Sequence, residues 1–156
     1  MPERRGQRPY FALSRRKTTT TKVLTYFSNF NGSPVIIREC TVTFDQHWNF
    51  NGSAITLFDG SMCLDLTNGD NFNGAGLQIW ECSATNPNQQ WSLSSYTPDT
   101  NTTGAWAPAG QKRCLDLTNG NFTNGNRVQI WDCSKCVEAF KARENQSTCL
   151  FITPLL

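Results

Sequence analysis

One feature dominates the chain: it repeats itself. Cys63-Leu-Asp-Leu-Thr-Asn-Gly69 recurs as Cys114-Leu-Asp-Leu-Thr-Asn-Gly120, and each copy runs on through an Asn-Gly pair to Gln78-Ile-Trp-Glu-Cys82 or Gln129-Ile-Trp-Asp-Cys133. The offset is 51 residues without a gap, and a match held in register over the twenty positions from Cys63 to Cys82 is not chance. Self-similarity at such a period means stacked copies of one supersecondary unit, none of which buries its apolar face alone.

A weaker copy lies upstream at an offset of 42, where Asn29-Phe-Asn-Gly32 matches Asn71-Phe-Asn-Gly74 and Glu39-Cys40 matches Glu81-Cys82. It ends in Gln46-His-Trp48, the counterpart of Gln89-Gln-Trp91. The 9 extra residues between the second and third copies fall mostly between Trp91 and Cys114, where Pro98, Asn101, Gly104, Pro108 and Gly110 read as a surface loop. Within a copy, Cys-Leu-Asp-Leu and Leu77-Gln-Ile-Trp80 alternate apolar with polar residues, and the Asn-Gly pairs between them are turn signals. A sustained helical rhythm is missing, apart from a doubtful one near Val137 to Arg143, so the fold class predicted is all-β.

Three units of about 42 residues, carrying Cys-Leu-Asp, Asn-Gly, Gln-Ile-Trp and Gln-x-Trp in that order, resemble the ricin B-type lectin domain over roughly Asn29 to Ser134. Fungal members are the relatives expected. The resemblance implies a β-trefoil of three pseudo-symmetric lobes. A basic tail over residues 1–22 precedes a domain at 23–136, with lobes near 23–48, 49–91 and 92–136, and residues 137–156 form an atypical C-terminal segment. The stretches that would close the trefoil at both ends carry unrelated sequence, so the expected barrel is incomplete there or the termini are foreign to it.

The resemblance also implies intra-lobe disulfides, Cys63 with Cys82 and Cys114 with Cys133, and hence an oxidising compartment, extracellular or secretory. Cys40 stands at the closing position of the first lobe, but Thr21 lies 42 residues before Cys63, so its partner is missing. Cys136 and Cys149 stay unassigned. Cys133-Ser-Lys-Cys136 has metal-site spacing, yet the chain holds one His and no second Cys-x-x-Cys, so no metal and no cofactor is expected.

A hexose is recognised when an aromatic face covers its apolar side and carboxylates and amides pair with its hydroxyls. By the resemblance these roles fall on Asp65, which can take two vicinal hydroxyls, on Trp80 for stacking with Gln78 beside it, and on Asn88 and Gln89. Gln89 also serves to hold Asp65, and Trp91 belongs to the core. The third lobe repeats Asp116, Gln129 and Trp131, but no Asn-Gln-x-Trp follows Cys133 at the proper distance. The first lobe has Val23 at the Asp position, Ile36 at the Gln and Arg38 at the Trp, so no sugar is expected in it. The structural alternatives are that Asp65 and Asp116 cap turns and that Trp80 and Trp131 are core. His47 is expected to pack beside Trp48.

Charge narrows the partners. Residues 1–22 carry seven cations against one acid, so of the net +2 the remainder holds −4. A nucleic-acid binder needs a basic folded face, and here the repeats are acidic. The tail lacks the apolar run of a secretory signal, and it reads as disordered or, by its Arg, Ser and Thr content, as an organellar transit peptide. No run of about 20 apolar residues suits membrane insertion. Sequons at Asn31, Asn51, Asn101, Asn121 and Asn145 fit a secreted surface. Catalytic motifs are lacking, so the expectation is a non-enzymatic carbohydrate-binding protein for galactose-type glycans, free-standing or a detached module of a glycoside hydrolase. The alternative is a trefoil protease inhibitor that has abandoned sugar.

Overall fold

In the computed structural model of the chain the described residues are 22–41, 43–51, 53–57, 59–96, 103–110, 112–132 and 151–152. Among them every regular element is a strand or a one-turn 3-10 helix. The repeated motif forms a hairpin in each lobe. In the second lobe β5 (Met62–Leu66) pairs antiparallel with β6 (Leu77–Glu81), setting Cys63 opposite Trp80 and Asp65 opposite Gln78. In the third, β9 (Arg113–Leu117) pairs with β10 (Val128–Asp132), with Cys114 opposite Trp131 and Asp116 opposite Gln129. The period of two along each strand sends Leu64, Leu66, Leu77 and Ile79 into a core shared with Leu115, Leu117, Val128 and Ile130.

The first lobe makes the same hairpin from unrelated sequence. Strand β1 (Lys22–Tyr26) pairs with β2 (Ser33–Glu39), and Leu24, Val35 and Ile37 enter the core. The register corrects one expectation. Thr25, not Val23, faces Ile36, so Thr25 holds the Asp position and Val23 the Cys position. Ile37 pairs with Leu24 thirteen positions earlier, whereas Ile79 pairs with Leu64 and Ile130 with Leu115 fifteen earlier. The β1–β2 loop is therefore two residues shorter, and an alignment anchored beyond it at Asn29 to Gly32 carries the wrong offset back into β1.

The tryptophans that close the first two copies fix this equivalence. Trp48 Nε1 donates to the Leu24 carbonyl at 3.0 Å, and Trp91 Nε1 donates to the Leu64 carbonyl at 2.9 Å. Trp91 is buried in the core, as expected. From these residues start β3 (Trp48–Asn51), paired with β4 (Ala54–Leu57), and β7 (Trp91–Tyr96), paired with β8 (Thr103–Pro108). Gly104 and Pro108 thus stand in a strand rather than in the surface loop expected of them, while Pro98, Asn101 and the segment Val137 to Arg143 lie outside the described residues. Strand β11 (Phe151–Ile152) lies antiparallel on β1 with Phe151 opposite Val23, as Thr56 of β4 lies opposite Cys63.

The lobes interlock cyclically through their Asn-Gly turns. Gly32 N–H donates to the Ile79 carbonyl, Gly74 to Ile130 and Gly125 to Ile37, at 2.9, 2.9 and 2.8 Å. Beside each, an asparagine side chain accepts from the next lobe's backbone: Asn31 from Glu81, Asn73 from Asp132 and Asn124 from Glu39. Cations reinforce two of the three contacts, Lys22 Nζ donating to Asn124 Oδ1 and Arg113 to Asn71 and Asn73. The Asn-Gly pairs thus join lobe to lobe, each Gly taking the positive φ that a bulkier residue resists.

Within the second lobe Cys63 and Cys82 form the expected disulfide. Cys114 is disulfide-bonded, and its expected partner Cys133 lies outside the described residues. Cys40 is disulfide-bonded too, which corrects the reading that left it without a partner.

Candidate functional site

The second lobe gathers its polar residues around a buried carboxylate. Asp65 is 2% exposed. Gln78 Nε2 donates to its Oδ1 at 2.9 Å, and Asn86 Nδ2 and Gln89 Nε2 donate to its Oδ2 at 3.0 and 3.1 Å. A buried carboxylate is costly unless hydrogen-bonded, and three amides meet that requirement without a counter-ion. The cage leaves roughly one of about four lone-pair positions for a ligand.

Each amide is set by local structure. Gln78 lies opposite Asp65 in the β5–β6 ladder. Gln89 ends the 3-10 turn η3 (Pro87–Gln89), is buried, and donates to the Glu81 carbonyl while accepting from Ser83 N–H. Asn86 caps that turn by accepting from Asn88 N–H at 3.0 Å. The sequence reading missed Asn86, and its available signal was the Asn-Pro pair at Asn86-Pro87, which favours turn initiation. Asn88 is half-buried, and it is Asn86, not Asn88, whose amide reaches Asp65.

The Thr67-Asn68-Gly69 segment forms a 3-10 turn, η2 (Thr67–Gly69), that leans on Asn88. Gly69 has φ +69°, a conformation that favours glycine, and Asn88 packs close against it, since a Cβ placed there would come within 2.7 Å of Asn88 Oδ1. Asn68 takes positive φ, which asparagine tolerates.

Trp80 is 41% exposed, whereas the core tryptophan Trp91 is 1% exposed. It stands two residues from Gln78 on β6, and Gly32 of the first lobe closes over both: a Cβ on Gly32 would lie 3.6 Å from Trp80 Cζ3 and 3.9 Å from Gln78 Oε1. The indole, Gln78 and, through it, Asp65 therefore line one side of the hairpin, with a wall from the preceding lobe. The core alternative for Trp80 does not fit this exposure.

The described residues of the third lobe repeat the arrangement around Asp116. Gln129 Nε2 donates to Asp116 Oδ2 at 2.8 Å, and Thr118 Oγ1 donates to Gln129 Oε1 at 3.1 Å. Trp131 is half-buried, with Gly74 over it as Gly32 is over Trp80. Burial pushes the Asp116 carboxyl above its ordinary value, and the hydrogen bonds from Gln129 and Leu117 N–H offset this only in part. Residues after Asp132, where further amides would come, lie outside the described residues.

The first lobe keeps the scaffold and has lost the ligand groups. Gln46 is buried and donates to the Glu39 carbonyl while accepting from Thr41 N–H, as Gln89 does with Glu81 and Ser83. Where Asp65 would stand, the Thr25 hydroxyl donates to Asp45 Oδ2 at 2.7 Å.

Residues 9–137 match the family described as the ricin-type beta-trefoil lectin domain. Serine protease 1 of Rarobacter faecitabidus is 25% identical over 100 residues, covering 54% of this chain and 19% of that protein, so the chain spans about a fifth of that relative's length. A crystal structure of a designed 3-fold symmetric protein, ThreeFoil, superposes with a TM-score of 0.63 at 20% identity, covering 74% of this chain and 89% of that one. The fold is a β-trefoil, and the chain belongs to the ricin-type beta-trefoil lectin domain family, whose members are carbohydrate-binding modules.

Proposed function

We propose that the chain binds a galactose-type saccharide in its middle lobe. The ring's apolar face lies on the Trp80 indole, and one hydroxyl donates to Asp65. The observation that carries this reading is the pairing of a half-exposed indole with a carboxylate held rigid by three amides on the same hairpin. Rigid acceptors lower the ordering cost of binding, and stacking on an aromatic adds apolar contact. Gln78 and Asn88 offer further amides, Gln89 acts by positioning Asp65, and Asp116, Gln129 and Trp131 form a second, weaker site. A single shallow site binds weakly, and several together gain avidity on a polysaccharide.

The module catalyses nothing itself in this reading. The likeness to one-fifth of a serine protease's length fits a module carried beside a separate catalytic domain. The disulfide Cys63–Cys82, with Cys40 and Cys114 also oxidised, favours the secretory pathway or the cell exterior. Retention on immobilised galactose or lactose tests the function. Wild type should be retarded and eluted by free sugar, while Trp80→Ala and Asp65→Asn should pass unretarded. Unretarded wild type, or equal retention of all three, contradicts the proposal. Tight binding to a protease with no retention would point instead to an inhibitor.

A further inference from the structure

The two residues missing from the β1–β2 loop leave a space that the longer hairpin loop of the second lobe fills. In the second lobe the longer loop packs η2 against η3 through Gly69 and Asn88. In the first lobe the loop stops short of the corresponding 3-10 turn, η1 (Phe44–Gln46), and a cleft of about 160 Å³ opens between them. Tyr26, Asn29, Phe44, Leu57 and Asp59 line it. Phe44 takes the place of Pro87 and is 77% exposed, the most exposed of the large apolar side chains described.

The charge at the cleft is negative. Burial, and then the negative charges of Asp45 and Asp59, hold the Tyr26 phenol above its ordinary value, so both carboxylates act on the mouth of the cleft. Burial alone would raise the Asp45 carboxyl, but hydrogen bonds from Thr43 and Thr25, with the Arg38 charge, outweigh it and bring the group below its ordinary value. Backbone and hydroxyl hydrogen bonds from Ser61 lower Asp59. Both acids are charged at neutral pH, and among the described residues no Lys or Arg lines the cleft.

An aromatic face, an amide and a phenol suit a sugar ring, and an aromatic face beside carboxylates suits an ammonium. An amino sugar carries both features on one small frame. We propose that the first lobe binds an amino sugar in its ammonium form, the ring covering Phe44, the ammonium turned to Asp59, and a hydroxyl paired with Asn29. None of the residues lining this cleft takes the place of Asp65, Gln78, Trp80 or Asn88, and the site does not depend on the middle lobe binding galactose.

The test is an NMR titration of the whole chain with D-glucosamine, D-glucose and D-galactose at mildly acidic pH. Glucosamine should shift the signals of Tyr26, Asn29 and Phe44, and should bind about ten-fold more tightly than glucose there. Phe44→Ala and Asp59→Asn, both at exposed positions, should each weaken glucosamine about ten-fold, while Trp80→Ala should leave it unchanged. Equal binding of glucose, an unaffected Asp59→Asn, or shifts that vanish in Trp80→Ala would each overturn the proposal. Galactose failing at Trp80 while glucosamine still binds at Phe44 would sink only the middle-lobe reading.

Discussion

At the scale of single residues, contact and support make opposite demands on the protein. Asp65→Ala would leave the amides of Gln78, Asn86 and Gln89 without their shared acceptor, and an unsatisfied buried donor costs about 1–3 kcal/mol. Denaturant unfolding should therefore show a loss of about 3 kcal/mol in Asp65→Ala, since some of those amides reach water. Trp80→Ala removes a half-exposed side chain and should change stability by about 1 kcal/mol or less, while abolishing sugar retention. Asp116 supplies a titration test. Burial raises its carboxyl above the ordinary 3.8, so the folded state binds that proton more tightly than the unfolded state does. Its share of the stability should grow as pH falls from the folded value toward 3.8, whereas the shares of Asp45 and Asp59, both lowered, are lost as pH falls through theirs. Carboxyl NMR should place the Asp116 midpoint above those of Asp45 and Asp59, and an order reversed from this would refute the assignment. Asp65, Gln78, Trp80 and Gln89 could be named as candidates from the sequence because they follow the motif order of the family it resembles. Asn86 was not, because a capping asparagine looks like any turn residue until its side chain is seen to reach another strand.

At the scale of elements, the hairpins were legible wherever the apolar alternation is intact, and they failed to show where the sequence diverges while the backbone persists. Strand β1 forms because Val23 and Leu24 can be buried and paired with β2, whatever occupies the Asp position. The two-residue deletion could not be located from one chain, since Gly32 matches Gly74 on one side of it and nothing marks β1 on the other. Gly104 and Pro108 read as loop by composition, yet a strand pairing through β7 accommodates them. The Asn-Gly turns predict a cooperative effect: Asn124→Ala removes the acceptor for Glu39 N–H and Lys22 Nζ and should cost about 1 kcal/mol, seen as a lower thermal midpoint. Replacing Cys63 and Cys82 together by serine should cost about 3 kcal/mol, the chain entropy released from a loop of that size. An unchanged midpoint under oxidising conditions would show that this bond adds nothing to the fold.

At the scale of the whole molecule, three-fold repetition supplies one scaffold, and each lobe has been free to change what it displays. The Gln46 and Gln89 brackets, the Trp48 and Trp91 anchors and the cyclic Asn-Gly contacts are kept. The second lobe carries an amide-caged carboxylate and an exposed indole on one hairpin, the third carries Asp116, Gln129 and Trp131 at the matching positions, and the first presents an aromatic acidic cleft. The central claim concerns the second. Of the five tryptophans, Trp80 alone should report the sugar fully, and the indole N–H resonances are separate probes in one spectrum. Addition of galactose or lactose to the labelled chain should move the Trp80 indole signal in a saturable way, with Trp131 following at higher concentration and the core probes Trp48 and Trp91 still. A Trp80 signal that stays fixed at saturating sugar, or that moves only together with the core tryptophans, would contradict the account.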